Sequence, residues 1–366
     1  MLRPLLFRIS QDRLLMVLLL VLPLLLWQVP TPMPELLGLV QWQTLVILTG
    51  LILLSRGLED SGYLAMAGRA LLGLLHSLRQ LALVLVLFSA LLSMLITNDV
   101  ALFIVVPLTL ALRALVELPV GRLVIFEALA VNAGSTLSPI GNPQNLFLWQ
   151  HTGVSFMEFA LVMLPLGISL LGLLFIAIPL AFPRRTLSSI ALPAVSVPHD
   201  RRLFWISLCL YAPFLLAAEA GLAHLILPIM LLWYLWQHRQ VVRAMDWSLL
   251  ALLLLMFVDL GLLARLPIMH QLVHALSELP GGLFSTAVLL SQGISNVPAA
   301  VFLANLEQDW RAIAWGVSVG GFGLAIGSLA NLIALRMAAD RRLWWEFHYW
   351  SLPMLVLAWL MGWLLL

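Results

Sequence analysis

The sequence predicts an all-α membrane protein with about nine transmembrane spans, two re-entrant helical hairpins and two broken helices, arranged as an inverted repeat. Three observations predict this class: the apolar composition, the distribution of arginines, and a polar motif that occurs twice inside apolar sequence. Of the 366 residues, 63% are hydrophobic and 10% are charged, and the mean hydropathy is +1.06. A soluble domain has about 25% charged residues, so the chain is a polytopic membrane protein.

The charge and cysteine content exclude several other classes of protein. A formal net charge of +2 gives no reason to expect nucleic acid as a partner. The single cysteine, Cys209, excludes an intramolecular disulfide and a cysteine metal site. Arginines precede an apolar run at 14–27, as in a signal sequence, but residues 29–34 lack a small-residue cleavage site. We therefore expect an uncleaved first span.

Apolar runs of helical length define the expected spans. They are 14–29, 42–55, 123–150, 159–182, 204–218, 222–237, 246–264, 312–337 and 347–366. Two further segments, 80–112 and 282–306, have a polar tip at the centre and arms shorter than the roughly 20 residues of a full crossing. We interpret both as re-entrant hairpins with tips at Asn98 and Asn296, although two ordinary spans each fit almost as well.

The arginines predict the orientation. With the N-terminus in the cytoplasm and each hairpin returning to its own side, only Arg265 and Arg311 of the 19 basic residues face outside. Such an excess of cytoplasmic arginine follows the positive-inside rule and places the C-terminus outside. A hairpin and a pair of full spans return the chain to the same side, so the arginines do not separate these two interpretations.

The chain divides into two related halves. We expect an N-terminal span and loop (1–41), a first repeat (42–182), a cytoplasmic linker with two connecting spans (183–245) and a second repeat (246–366). The tip asparagines correspond at an offset of 198 residues, and the broken helices 123–150 and 312–337 correspond at an offset of 186 residues. The halves begin on opposite sides of the membrane, so the repeats are inverted, as in many secondary transporters.

The two broken helices have the chemistry of a binding site. Pro139, Pro143 and Gly141 interrupt the first helix, and glycines loosen the second. A break frees amides that suit an anion and carbonyls that suit a sodium ion. The candidate site residues at the tips and breaks are Thr97, Asn98, Asp99, Ser135, Thr136, Gly141, Asn142, Asn145, Ser295, Asn296, Gly327, Ser328 and Asn331. The alternative is purely structural: the small residues allow close helix packing, and the polar residues form hydrogen bonds between helices.

Three acidic residues inside the apolar sequence allow more than one interpretation. Asp99 either binds a coupling ion or proton or caps the second hairpin arm. Asp259 is either functional or solvated near the outer interface. Glu127 has a candidate structural partner in Arg122 or Arg113.

These motifs resemble the ion transporter superfamily, which includes citrate-transporter-like permeases, divalent-anion:sodium symporters and arsenite permeases. The resemblance covers nearly the whole chain and rests on the two tips and the two breaks. The motifs are 97–99, 295–297, 141–145 and 327–331. The tips differ from the Ser-Asn-Thr pattern of the family, because Asp99 and Val297 replace Thr.

The resemblance implies a scaffold domain with a transport domain, frequent homodimers, elevator-like movement and a location in the bacterial inner (plasma) membrane. It also implies that Asn98, Asn296 and Asn145 contribute to the site, with sodium near Asn98 and Asn296. We therefore expect an inverted-repeat secondary transporter of a small anion or oxyanion, coupled to protons or sodium and using no cofactor. The alternatives are a cation/proton antiporter centred on Asp99 and, less favoured, an intramembrane enzyme.

Overall fold

The computed structural model describes residues 13–64, 66–67, 77–112, 118–186 and 199–366. Arg3, Arg8, Arg69 and Arg113, which contribute to the predicted orientation, lie outside the described residues, as does the linker segment 187–198. The described residues contain helices and no strand, apart from one isolated bridge between Ser77 and Thr186. The fold is therefore all-helical, as the sequence predicts.

The helices follow one another along the chain with short connections. They are α1 (Arg13–Gln28), α2 (Met33–Leu39), α3 (Trp42–Asp60), α4 (Leu78–Leu95), α5 (Asn98–Leu112), α6 (Val120–Thr136), α7 (Pro143–Thr152), α8 (Phe156–Ala181), α9 (Arg201–Glu219), α10 (Ala223–Gln237), α11 (Arg239–Ala244), α12 (Trp247–Ala264), α13 (Pro267–Ser277), α14 (Gly282–Ile294), α15 (Asn296–Ala304), α16 (Trp310–Gly320), α17 (Leu329–Ala338) and α18 (Arg342–Leu365). A 3-10 turn, Ala325–Gly327, precedes α17.

Side-chain caps fix where several helices start. The carboxylate of Asp200 accepts from the amide of Leu203 at 3.0 Å at the start of α9. Asp246 and Asp309 make the equivalent bonds at the starts of α12 and α16. The first amides of a helix have no partner within the helix, so an acceptor side chain at this position stabilises it by about 1 kcal/mol.

Five of the described helices are long and apolar enough to cross a membrane: α4, α8, α9, α12 and α18. The number rises to seven if the bent pairs α2–α3, at 50°, and α13–α14, at 115°, each count as one span. The other predicted spans are shorter or broken helices; α1 has 16 residues and α10 has 15. The chain is therefore a multi-pass membrane protein, and the count of nine spans stays a prediction.

Helices end at the tips that the sequence predicts. Only residues 96 and 97 separate α4 from α5, and only Ser295 separates α14 from α15. Three of the four arms, α5, α14 and α15, have 15, 13 and 9 residues and are short for a crossing. The arm α4 has 18 residues and is long enough to span, so it exceeds the length expected from the sequence.

Each broken helix packs closely against the first arm of a hairpin. The most extensive helix contacts are α4 with α6 and α14 with α16. A Cβ atom at Gly134 would lie 2.2 Å from the carbonyl oxygen of Ala90, and one at Gly320 would lie 2.4 Å from Cβ of Ser291. Small residues at both positions therefore allow the helix backbones to approach, as is common in membranes.

Contacts also cross between the two halves of the chain. The second arm α5 of the first hairpin packs on α17, and the second arm α15 of the second hairpin packs on α7. In the same way, α6 packs on α17 and α16 packs on α7. The two breaks are thus enclosed by helices from both halves.

We expect Gly134→Ala to destabilise the protein by about 1–3 kcal/mol, because the added methyl group meets the backbone of Ala90, which cannot move aside like a flexible side chain. The measurement is the thermal unfolding temperature of the protein purified in detergent. Gly172→Ala is the matched control, since nothing lies within 4 Å of a Cβ atom at Gly172. An equal unfolding temperature for the two variants would contradict the close contact.

Candidate transport site

The first helix break lies between Thr136 and Pro143. Asn142 caps α7: its Oδ1 atom accepts from the amide of Asn145 at 2.8 Å, and its Nδ2 atom donates to Oγ of Ser135 at 2.9 Å. Gly141 is required here, because a Cβ atom would lie 2.6 Å from the backbone of Ser135. The break is therefore an ordered turn in which the two half-helices are joined by side chains.

Asn145 closes this break with its amide group. Its Nδ2 atom donates to the carbonyl oxygens of Ser135 at 3.1 Å and Ser138 at 3.2 Å, with a longer contact of 3.4 Å to that of Thr136. The sequence predicts that carbonyl oxygens at the break are free to bind a ligand. In the structure, these three carbonyl oxygens accept hydrogen bonds from the side chain of Asn145. The Oδ1 atom of Asn145 is buried and accepts no hydrogen bond from the described residues.

The first hairpin tip contacts the first break directly. The backbone amide of Asn98 donates to the carbonyl oxygen of Gly141 at 2.8 Å, and Thr97 and Asn98 are both buried. The side chain of Asn98 accepts from the amide of Asp99 at 3.0 Å. The structure therefore brings together this tip and this break, which are separated by two apolar helices, α5 and α6, in the sequence.

Asp99 differs from the other candidate site residues because it is partly exposed. Its carboxylate has neither a hydrogen bond nor an ion pair with any residue that the structure describes, so it does not cap α5 through its side chain.

The second break is closed by a residue from the other half of the chain. The Nδ2 atom of Asn132, on α6, donates to Oδ1 of Asn331 at 2.9 Å and to the carbonyl oxygen of Gly321 at 3.2 Å. Its Oδ1 atom accepts from Oγ of Ser328 at 3.0 Å. Asn331 in turn donates to the carbonyl oxygen of Gly321 at 2.9 Å. Asn132 therefore joins the first broken helix to the second.

Gln292, on α14, also holds the second break. Its Nε2 atom donates to the carbonyl oxygen of Gly320 at 2.9 Å, and its Oε1 atom accepts from the amide of Leu324 at 2.6 Å. Asn132 and Gln292 are both missing from the candidates chosen from the sequence. Each is an uncharged polar residue within an apolar run, which is costly in lipid unless a partner is present, and this signal could have identified them.

The second hairpin tip is strained. Ser295 adopts a φ of 72°, a left-handed conformation that is rare for residues other than glycine. Its hydroxyl lies 3.5 Å from Oδ1 of Asn296, and both residues are buried. The helix α15, which starts at this tip, packs on α7, the half-helix that carries Asn145. Gly327 allows the backbone of the second break to approach the carbonyl oxygen of Gly320.

Of the two candidate partners of Glu127, Arg113 lies outside the described residues, and Arg122 does not pair with Glu127. Arg122 instead bonds to the carboxylate of Glu346 at 2.7 Å and to the carbonyl oxygen of Ala181 at 2.8 Å. Residues five apart on a helix point about 140° away from each other, so the two side chains of α6 face different neighbours. Glu127 is fully buried and accepts a hydrogen bond from the hydroxyl of Thr109 on α5.

Asp259 is buried rather than solvated. Its side chain is on α12, only 2% of the residue is exposed, and neither carboxylate oxygen has a hydrogen-bond partner among the described residues. The solvated alternative is therefore wrong, because α1, α2 and α15 pack against α12. No group of three potential metal-ligand side chains occurs in the described part of the chain.

Apart from the carboxylate of Asp99, the candidate site residues offer uncharged amide, hydroxyl and backbone groups. All of its predicted residues except Asp99 are buried. Such groups offer both hydrogen-bond donors and neutral oxygen acceptors, which suits reversible binding of a small solute or ion and provides no nucleophile with a base.

Comparisons with known proteins give the family of the chain. The pattern of the citrate transporter family, CitMHS, matches residues 6–320. The chain is 46% identical to the inner membrane protein YbiR of Escherichia coli strain K12 over 329 residues, which cover 89% of this chain and 88% of that protein.

Two more distant relatives carry similar names. The uncharacterized transporter MJ0456 of Methanocaldococcus jannaschii is 33% identical over 318 residues, which cover 86% of each chain. The putative transporter arsB of Dictyostelium discoideum is 26% identical over 122 residues, which cover 33% of this chain and 22% of that protein. The family and these relatives are named as transporters or membrane proteins, which confirms the prediction that the chain is not an enzyme. The chain belongs to the citrate transporter family.

Proposed function

We propose that this transporter is a secondary active carrier of a small anion or oxyanion across the inner membrane, coupled to protons or sodium. The observation that carries the proposal is that four helices start at the polar tips and breaks, inside apolar sequence. The helices α5, α7, α15 and α17 all begin at a tip or a break. A helix N-terminus carries partial positive charge and unpaired amides, and both favour a bound anion.

The arrangement of the two breaks supports an inverted repeat. Asn145 donates to the carbonyl oxygen of Ser135, and Asn331 donates to that of Gly321. Each residue of the second bond lies 186 residues after its counterpart in the first. The contacts of α5 with α17 and of α15 with α7 are reciprocal in the same way. Together with the arginines, this supports the proposed orientation, with the N-terminus in the cytoplasm and the C-terminus outside.

A second candidate function is cation/proton exchange centred on Asp99. The observation that favours it is that Asp99 is partly exposed and that its carboxylate has no hydrogen bond or ion pair to the described residues. An acidic group in a membrane site is often a proton or cation carrier. The homodimer and the elevator-like movement are proposals that rest on the family resemblance alone.

We expect the double substitution Asn98→Ala and Asn296→Ala to abolish anion binding and uptake while leaving expression intact, because both tips lose a polar side chain that faces the site. The measurement is the thermal unfolding temperature of purified protein with citrate, succinate, phosphate, sulfate or arsenite. A bound anion at about 100 times its Kd stabilises the folded state by about 2.7 kcal/mol.

Asn305→Ala is the matched control for this experiment. Asn305 lies just after the other end of α15, where, among the described residues, its side chain bonds only to the carbonyl oxygen of Val301. We expect this variant to keep the anion-induced stabilisation. Anion stabilisation and uptake that persist in the double variant would refute the assignment of the tips.

The substitution Asp99→Asn separates the two candidate functions. We expect the variant to keep anion-induced stabilisation, because the half-helix N-termini and the amide side chains remain. In an antiporter centred on Asp99, the same change would remove a pH-dependent sodium flux in proteoliposomes. The antiporter is favoured if no anion of the panel stabilises the wild-type protein and if the Asp99→Asn variant lacks the sodium flux.

A further inference from the structure

A basic cavity lies where α4 starts and the chain leaves α8. Its volume is about 350 Å³. Three arginines line it, Arg79, Arg184 and Arg185, together with the apolar side chain of Leu83 and polar uncharged groups. Both α4 and α8 are long and apolar enough to cross a membrane, so the start of one and the end of the other lie at the same membrane boundary.

Backbone contacts join the two walls of this cavity. Ser77, which precedes α4, forms an isolated bridge with Thr186. The amide of Leu78 donates to the carbonyl oxygen of Arg185 at 3.0 Å. The chain that carries Arg184 and Arg185 is therefore held beside the first turn of α4, and the cavity is an ordered part of the fold.

The guanidinium of Arg79 is fixed in direction by the end of α8. It donates to the carbonyl oxygen of Phe182 at 3.2 Å and to that of Pro179 at 3.1 Å. Its Nη1 group makes no hydrogen bond to a described residue. A guanidinium that is already oriented loses little conformational freedom when its remaining N–H groups bind the oxygens of a phosphate.

The positive charge of the cavity lacks a nearby acidic side chain among the described residues that line it. Elsewhere, Arg56, Arg122 and Arg265 each form an ion pair with a carboxylate. Arg184 is exposed and makes neither a hydrogen bond nor an ion pair with a described residue. Like charges around one small cavity repel each other, so an anion between them lowers the electrostatic energy.

The apolar surface beside the cavity identifies the kind of anion. Leu83, Leu87 and Leu91 are 43%, 44% and 47% exposed, and their spacing of four residues places them on one face of α4. From Leu83 to Leu91 this face is about 12 Å long, close to the roughly 15 Å depth of hydrocarbon in one leaflet. A soluble anion would leave the leucines uncovered, whereas a phospholipid contacts both the arginines and the leucines.

We propose that the cavity binds the phosphate of an anionic phospholipid, whose acyl chain runs along the leucine face of α4. Basic pockets between transmembrane helices are suited to such headgroups. The bound lipid would join α4 to the end of α8 through Arg79 and the two arginines that follow α8. This proposal rests on neither the transported substrate nor the coupling ion.

The experiment measures the thermal unfolding temperature of detergent-purified protein with increasing phosphatidylglycerol, with phosphatidylcholine as the lipid without net charge. We expect phosphatidylglycerol to raise the unfolding temperature of the wild type in a saturable way, and phosphatidylcholine to have little effect. The double substitution Arg184→Gln and Arg185→Gln should weaken the apparent affinity for phosphatidylglycerol at least tenfold. Both residues are exposed, so the unfolding temperature in phosphatidylcholine should stay close to that of the wild type.

The matched control is the double substitution Arg201→Gln and Arg202→Gln. These arginines are also adjacent and exposed, but they lie at the start of α9 and do not line the cavity. This variant loses the same charge and should keep the affinity for phosphatidylglycerol. Equal weakening in both double variants would overturn the proposal, because it would indicate attraction to the net charge alone.

Inorganic phosphate distinguishes a lipid from a soluble anion in the same cavity. We expect it to give no stabilisation that depends on Arg184 and Arg185. A wild type that phosphatidylglycerol and phosphatidylcholine stabilise equally would overturn the proposal. Stabilisation by inorganic phosphate that Arg184→Gln and Arg185→Gln remove, without an effect of phosphatidylglycerol, would also overturn it and identify a soluble anion as the occupant.

Discussion

The structure depends on one constraint: a backbone that breaks its helix inside an apolar environment must find new hydrogen-bond partners. Five amide side chains provide them. Asn142 and Asn145 hold the first break, and Asn132, Asn331 and Gln292 hold the second. Because each partner is uncharged, the breaks are stable without a buried ion pair, and the half-helix ends keep the partial charges that act on a ligand.

The glycines and the amides act together in this arrangement. Gly134 and Gly320 let the hairpin arms α4 and α14 pack closely on the broken helices. That packing brings the first tip to the first break, where the amide of Asn98 bonds to Gly141. A change in the packing of an apolar arm therefore shifts polar groups at the site, even though the arm itself binds nothing.

Sequence reasoning predicted the breaks well, because polar residues, Pro143 and Gly141 in apolar sequence leave few other structures. It identified the family and the residues at the tips. It missed Asn132, since a hydrogen bond between residues 189 positions apart depends on which helices pack together. Of the two partners it offered for Glu127, Arg122 is wrong for a similar reason: proximity along the chain does not decide which neighbour each face of a helix meets.

The hydrogen bonds of Asn132 limit how independently the two halves of the chain can evolve. The second break makes three hydrogen bonds with a residue of the first half, so the second half is incomplete without it. The first break, in contrast, is held by residues of its own half. If the gene were divided between the two halves, only the first piece would contain all the partners of its break, and the second break could close only after the two pieces had assembled.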